Sequence, residues 1–89
     1  MTTLFVRHTV KDYAAWRKAY DGFKPVQKQK GVTAEAVYQA ADNPNDITVT
    51  HEFANAAAAQ AFITAPELKK AMESAGVVGA PTVWITNKA

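Results

Sequence analysis

Eighty-nine residues with a net charge of +2, 48% hydrophobic and 20% charged side chains, have the composition of an ordinary folded domain, not of a disordered or membrane-embedded chain. One domain spanning residues 1–89 is expected, and a chain this short buries only about 60 to 65% of its unfolded surface, so a partner chain would add to its core. The lack of cysteine excludes disulfides and thiolate metal sites.

No apolar run approaches the roughly 20 residues that span a bilayer, and Met1-Thr2-Thr3 leads straight into a strand without a signal-peptide pattern. The sequence therefore predicts a cytoplasmic protein with no membrane partner. Arg17, Lys18, Lys24, Lys28 and Lys30 are answered in their segment only by Asp21. Such a run reads as a solvated helix face, and without interleaved aromatics or a recognised motif no nucleic-acid partner is expected.

Leu4 to Val10 is the first strand. Period-two alternation puts Leu4, Val6, His8 and Val10 on one face and Phe5, Arg7 and Thr9 on the other. Asp12 is the expected N-cap of a helix striped by Tyr13, Trp16, Tyr20 and Phe23. Asp21-Gly22 weakens that helix, Pro25 suits the first turn of a short continuation from Val26 to Lys30, and Gly31 stops it. Val32 to Ala40 alternates as a second strand, and Asp42-Asn43-Pro44-Asn45-Asp46 has the composition of a turn. Ile47 to Phe53 is the third strand, with Ile47, Val49, His51 and Phe53 on one face and Thr48, Thr50 and Glu52 on the other. A loop this short makes strands two and three an antiparallel hairpin.

Asn55 caps the next helix, which includes the alanine-rich stretch of residues 54–61. Pro66 restarts it, since proline fits the first turn and breaks an interior one. Leu68, Ala71, Met72 and Ala75 then form a stripe facing the core. Gly76 to Pro81 reads as an irregular connector, and Thr82 to Thr86 as the last strand.

The order strand, helix, strand, strand, helix, strand with right-handed crossovers predicts a ferredoxin-like βαββαβ fold of the α+β class. Its four-stranded antiparallel sheet has the order 4-1-3-2, with both helices on one face. The other face is assigned Phe5, Val37 and Trp84 among Arg7, Glu52 and threonines. Leaving such apolar groups wet forfeits roughly 1.5 to 3 kcal/mol each, so this face is expected to pack on its copy in a homodimer.

The stretch from Val6 to Trp16, together with Pro66-Glu67-Leu68-Lys69-Lys70-Ala71-Met72 and the later Ala75-Gly76-Val77, resembles the dimeric α+β barrel superfamily. Within it, the chain is similar to the small antibiotic biosynthesis monooxygenase-like proteins, over nearly its whole length. The resemblance implies dimerisation through the sheets into an α+β barrel and a pocket between helices and sheet. Active members oxygenate quinol-like aromatics without metal or flavin, or degrade haem. They place a tryptophan at the end of the third strand and a histidine further along, in the second helix. Those positions here are Phe53 and Phe62, which neither donate a hydrogen bond nor carry a proton, so haem ligation through that histidine is not expected.

His8 and His51, each set in the apolar face of a strand, are the candidate catalytic residues. Neighbouring strands about 4.8 Å apart would bring both toward one pocket, where desolvation favours neutral imidazoles able to serve as base and donor. The alternative is that each is a core histidine satisfied by a hydroxyl or carbonyl. Tyr13, Trp16, Tyr38, Phe53 and Phe62 are the candidate ligand contacts for a small aromatic or polyketide-like molecule, although aromatics at helical spacing equally describe a core. No metal is expected, because zinc wants three or four ligands and the chain has two histidines, with Glu52 facing away from His51. No cofactor is expected either, since the four glycines form no phosphate cradle for a nucleotide, and the lone Ser74, in no nucleophile motif, argues against a serine hydrolase. The sequence thus leaves three functions open: a ligand-binding homodimer, a cofactor-free monooxygenase or cyclase with a histidine base, and a purely structural or regulatory dimerisation module.

Overall fold

In the computed structural model, which describes residues 1–89, the elements are β1 (Thr2–Val10), α1 (Tyr13–Gln29), β2 (Ala34–Ala40), β3 (Asn43–Phe53), α2 (Ala56–Ile63), α3 (Pro66–Ser74) and β4 (Val77–Asn87). The alternation read in β1 explains its place at the centre of the sheet. Leu4, Val6, His8 and Val10 are all buried, and β1 pairs antiparallel with both β3 and β4. The strand order β2-β3-β1-β4 is the expected 4-1-3-2 read from the opposite edge, so the fold is the ferredoxin-like α+β arrangement.

The second helical segment is two short helices, divided where Pro66 opens the first turn of α3. Side chains from the helices close over the sheet in two clusters. Leu4, Val6 and Phe53 meet Phe62 and Leu68, while Val10, Ile47 and Val49 meet Trp16 and Tyr20.

Local chemistry accounts for most boundaries. The Asp12 carboxylate accepts from the Ala15 N–H at 3.1 Å, and the Asn55 side chain accepts from the Ala58 N–H at 2.9 Å, so both predicted caps are in place. Gly31, at φ +96°, ends α1. The Val32 N–H there reaches back to the Gln27 carbonyl at 3.1 Å, a turn that requires a left-handed residue.

Three expectations about element boundaries are corrected. First, α1 does not restart at Pro25 but runs unbroken from Tyr13 to Gln29 with the proline inside it. Proline withholds the bond to the carbonyl four residues back, but the buried stripe Trp16, Tyr20, Gln27 spans the site and keeps both halves on one axis. Second, the turn between β2 and β3 is only Ala41–Asp42, and residues 43–46 are extended. A register shift between Gln39 and Ala40 absorbs the extra length. Asn45 is put to local use, accepting from the Tyr13 N–H at 3.0 Å and so satisfying the first turn of α1. Third, the segment from Val77 to Pro81 is part of β4, with a bulge opposite His8 where Arg7 pairs with Thr82 but Thr9 pairs with Val78. Gly79, at φ +73°, and Pro81 are tolerated because β4 is an edge strand.

The uncovered face of the sheet carries Phe5 stacked on Trp84, with ring centroids 5.1 Å apart and planes parallel to within 1°. Beside them Arg7 donates two hydrogen bonds to Asp46, at 3.1 and 2.7 Å. Val37 is not on this face. It pairs with Val49 and packs under the helices, because the β2 register turns residues 35, 37 and 39 toward them. Tyr38 takes the outer position and is 58% exposed. No helix is long and apolar enough to cross a membrane.

Candidate functional site

The β1–β3 register fixes the two imidazoles. Val6 pairs with Val49, Leu4 with His51 and His8 with Ile47. His8 and His51 therefore share the helix-side face of adjacent strands but stand at opposite ends of the valine pair. Their separation along the strands is about 13 Å at 3.3 Å per residue, too far for both to act on one atom.

The aromatic stripe of α1 bridges the gap. His8 meets the edge of Trp16 at 5.7 Å, Trp16 stacks on Tyr20 at 4.9 Å, and Tyr20 lies 6.2 Å from His51. Leu68, Met72 and Ala75 from α3 and its C-terminal end form the facing wall. Together they line a half-open cavity of about 50 Å³, with ten of its thirteen lining residues hydrophobic and both histidines among the thirteen. Roughly 10 to 15 Å³ accommodates one water-sized group, so the space holds a few such groups unless a side chain yields. Met72, unbranched and adaptable, is the wall residue best able to do so.

Neither histidine has the hydroxyl or carbonyl partner of a satisfied core residue. His8 is 7% and His51 4% exposed, and all four ring nitrogens are buried without a hydrogen-bond partner. Leaving such a group unmatched costs about 1 to 3 kcal/mol. Burial lowers the His51 pKa to about 4, with the nearby Glu35 carboxylate pulling weakly the other way. It also lowers that of His8 against the opposing charge of Asp46. Both imidazoles are thus neutral at pH 7, each with one nitrogen able to donate and one able to accept.

Of the sequence-derived candidates, His8, His51 and Trp16 line the cavity. Tyr13 packs on Trp16 at 6.1 Å from outside. Phe62 lies 5.1 Å from His51, and Phe53 5.5 Å behind Phe62, both fully buried in the core that backs the site. Tyr38, on the opposite face of the sheet, is not brought to the cavity.

Three residues complete the His51 end, of which only Tyr20, in the aromatic stripe of α1, was noted from sequence. Glu35 is the direct β2 partner of His51. Tyr20 has its phenol pKa raised by burial first and then by Glu35, and Gln27 is 3% exposed. The Tyr20 hydroxyl lies near Glu35 and Gln27 but makes no hydrogen bond of good geometry, and Tyr20 Oη and Glu35 Oε1 are both unpartnered. Gln27 was legible as the next step of the Tyr20–Phe23 helical spacing. Glu35 was not, because its face depends on the hairpin register. Gln27 also lines an outer groove with Lys24, Lys28, Thr33 and Glu35, so it forms the wall between cavity and surface. No three His, Asp or Glu side chains gather as a metal-binding group.

The profile of the antibiotic biosynthesis monooxygenase family matches residues 6–74. Among solved structures, the chain is similar to SnoaB of Streptomyces nogalater, a cofactor-independent oxygenase, with 12% identity and a TM-score of 0.80 over 99% of this chain and 92% of that one. It is similar to Rv0793 of Mycobacterium tuberculosis, with 13% identity and a TM-score of 0.74 over 99% and 94% of the two chains. It is also similar to NE2512, a protein of unknown function from Nitrosomonas europaea, with 22% identity and a TM-score of 0.75 over 96% and 85%. At these identities the likeness is one of fold. No curated protein matches the sequence.

Proposed function

This chain belongs to the antibiotic biosynthesis monooxygenase family, and on that premise we propose that it acts as a homodimeric α+β barrel that binds a small, uncharged aromatic molecule between sheet and helices. The observation that carries the reading is the pair of buried imidazoles without partners, bordering one apolar cavity. Buried polar groups are normally matched, and a ligand that meets them recovers the cost. The volume of about 50 Å³ admits a single ring only if Met72 yields, and a fused polyketide would require α3 to shift. Dimerisation is supported by the uncovered face, where Phe5, Trp84 and Tyr38 expose aromatic surface on a sheet otherwise covered on one side only. Thermal denaturation with single-ring aromatics tests the ligand. At 100 times its Kd a ligand adds about 2.7 kcal/mol to stability, and the absence of any shift across such a panel leaves the dimerisation module as the reading.

A second reading, a cofactor-free oxygenase with a histidine base, is favoured by the neutral imidazoles beside an apolar cavity. His8 is the better base, because a pKa of about 4 makes His51 a weak proton acceptor, whereas Asp46 supports the charged form of His8. Oxygen uptake with quinols falling about 10² or more in His8→Ala supports this reading; unchanged rates in both His8→Ala and His51→Ala reject it.

A further inference from the structure

We propose that the end of the cavity lined by Tyr20 and His51 and backed by Glu35 is a recognition subsite for an uncharged hydroxyl group, so that the ligand is a neutral single-ring alcohol and not an acid, an amine or a bare hydrocarbon. This rests on the ligand-binding reading above and names the chemistry its polar end selects.

Three of the four residues whose buried polar atoms lack a hydrogen-bond partner lie at this end: Tyr20 through Oη, His51 through both ring nitrogens and Glu35 through Oε1, which has only the Lys24 ammonium at 3.8 Å. Tyr20 and His51 are more than nine-tenths buried and both line the cavity. Glu35 pairs with His51 across β2 and β3 and backs this end from the adjoining groove, with its Oε1 buried. The donor and acceptor inventory is specific. The phenol donates, the carboxylate only accepts, and the neutral imidazole does one at each nitrogen. A hydroxyl, which donates once and accepts twice, can accept from the phenol and from one imidazole nitrogen and donate to the carboxylate, leaving only the other imidazole nitrogen unmatched. A hydrocarbon leaves all of it unmatched.

Charge is refused in both signs. At His51 burial outweighs the attraction of Glu35 and disfavours the imidazolium, and a ligand cation in the same place meets the same balance of desolvation and attraction. An anion meets that penalty together with the Glu35 carboxylate. Lys24 offers an anion little, because its ammonium, 3.8 Å from Glu35, is also 3.4 Å from Asp21 and belongs to the outer groove.

The test uses four matched probes with the full chain, followed by NMR titration: benzyl alcohol, ethylbenzene, benzylammonium and benzoate. Benzyl alcohol should bind at least tenfold more tightly than ethylbenzene, the scale of a hydrogen bond to a charged group, and both ions more weakly than either. Tyr20→Phe and Glu35→Gln, checked for native circular dichroism, should each shrink the alcohol-to-hydrocarbon ratio several-fold. Equal binding of alcohol and hydrocarbon, binding of either ion as tight as the alcohol's, or a ratio untouched by both variants overturns the subsite alone. Binding of none of the four overturns it together with the ligand reading beneath it.

Discussion

His51 on β3 stands directly opposite Glu35 on β2, yet its pKa falls to about 4, because burial outweighs the neighbouring carboxylate. The folded value lies below the unfolded one of 6.5, so as pH falls the unfolded chain takes up this proton first. The contribution is fully present above pH 6.5 and is lost between 6.5 and about 4, with a magnitude of about 3 kcal/mol. Urea unfolding at pH 7 and pH 4.5 should show this loss in the wild type and a smaller one in His51→Gln. His8, lowered in the same direction, leaves a residual slope in the variant. Identical pH slopes in the two proteins contradict the burial of a neutral imidazole at position 51.

The caps give a prediction independent of function. Asp12→Ala removes the acceptor of the Ala15 N–H and should cost about 1 kcal/mol. For a domain of this size that is a fall of about 4 to 8 °C in Tm, readable by calorimetry. A variant as stable as the wild type would mean that water replaces this cap without loss.

Much of this was legible because the central strands carry a two-residue period and each helix a start signal, a side-chain cap for α1 and α2 and a proline for α3. Leu4–Val10 and Ile47–Phe53 announce the two central strands, and Asp12, Asn55 and Pro66 announce the helix starts. What escaped depends on contacts distant in sequence. Residues 43–46 have turn chemistry but are extended, because the bulge beside Gln39 re-registers them against β2. Pro25 has the chemistry of a helix start but sits inside α1, where packing against the sheet decides. Val37 and Tyr38 exchanged faces for the same reason: an alternating strand declares two faces without saying which is covered. The candidate site followed suit. Its histidines were visible as misfits on apolar faces, whereas Glu35 acquires its meaning only through the register that sets it against His51.

The uncovered sheet face yields a prediction about assembly. Trp84→Glu places a charge in the Phe5–Trp84 stack, where burial against a second copy would require its desolvation. Sedimentation at micromolar concentration should find the wild type dimeric and the variant monomeric and still folded. A monomeric wild type removes the proposed homodimer.

Filling the cavity separates space from chemistry. Ala71 lines it from α3, and Ala71→Leu should occupy the volume with a change in stability of no more than about 1 kcal/mol. Single-ring probes should then bind at least tenfold more weakly. Undiminished binding would place the ligand elsewhere on the molecule.

The most direct measurement is nitrogen NMR of the two imidazoles during a titration with benzyl alcohol at pH 7. The account predicts neutral rings throughout and a saturable shift of the His51 nitrogens, larger than that of His8, as the hydroxyl supplies the missing partner. Resonances that stay fixed to the solubility limit of the probe, or a His51 already protonated at pH 7, would contradict it.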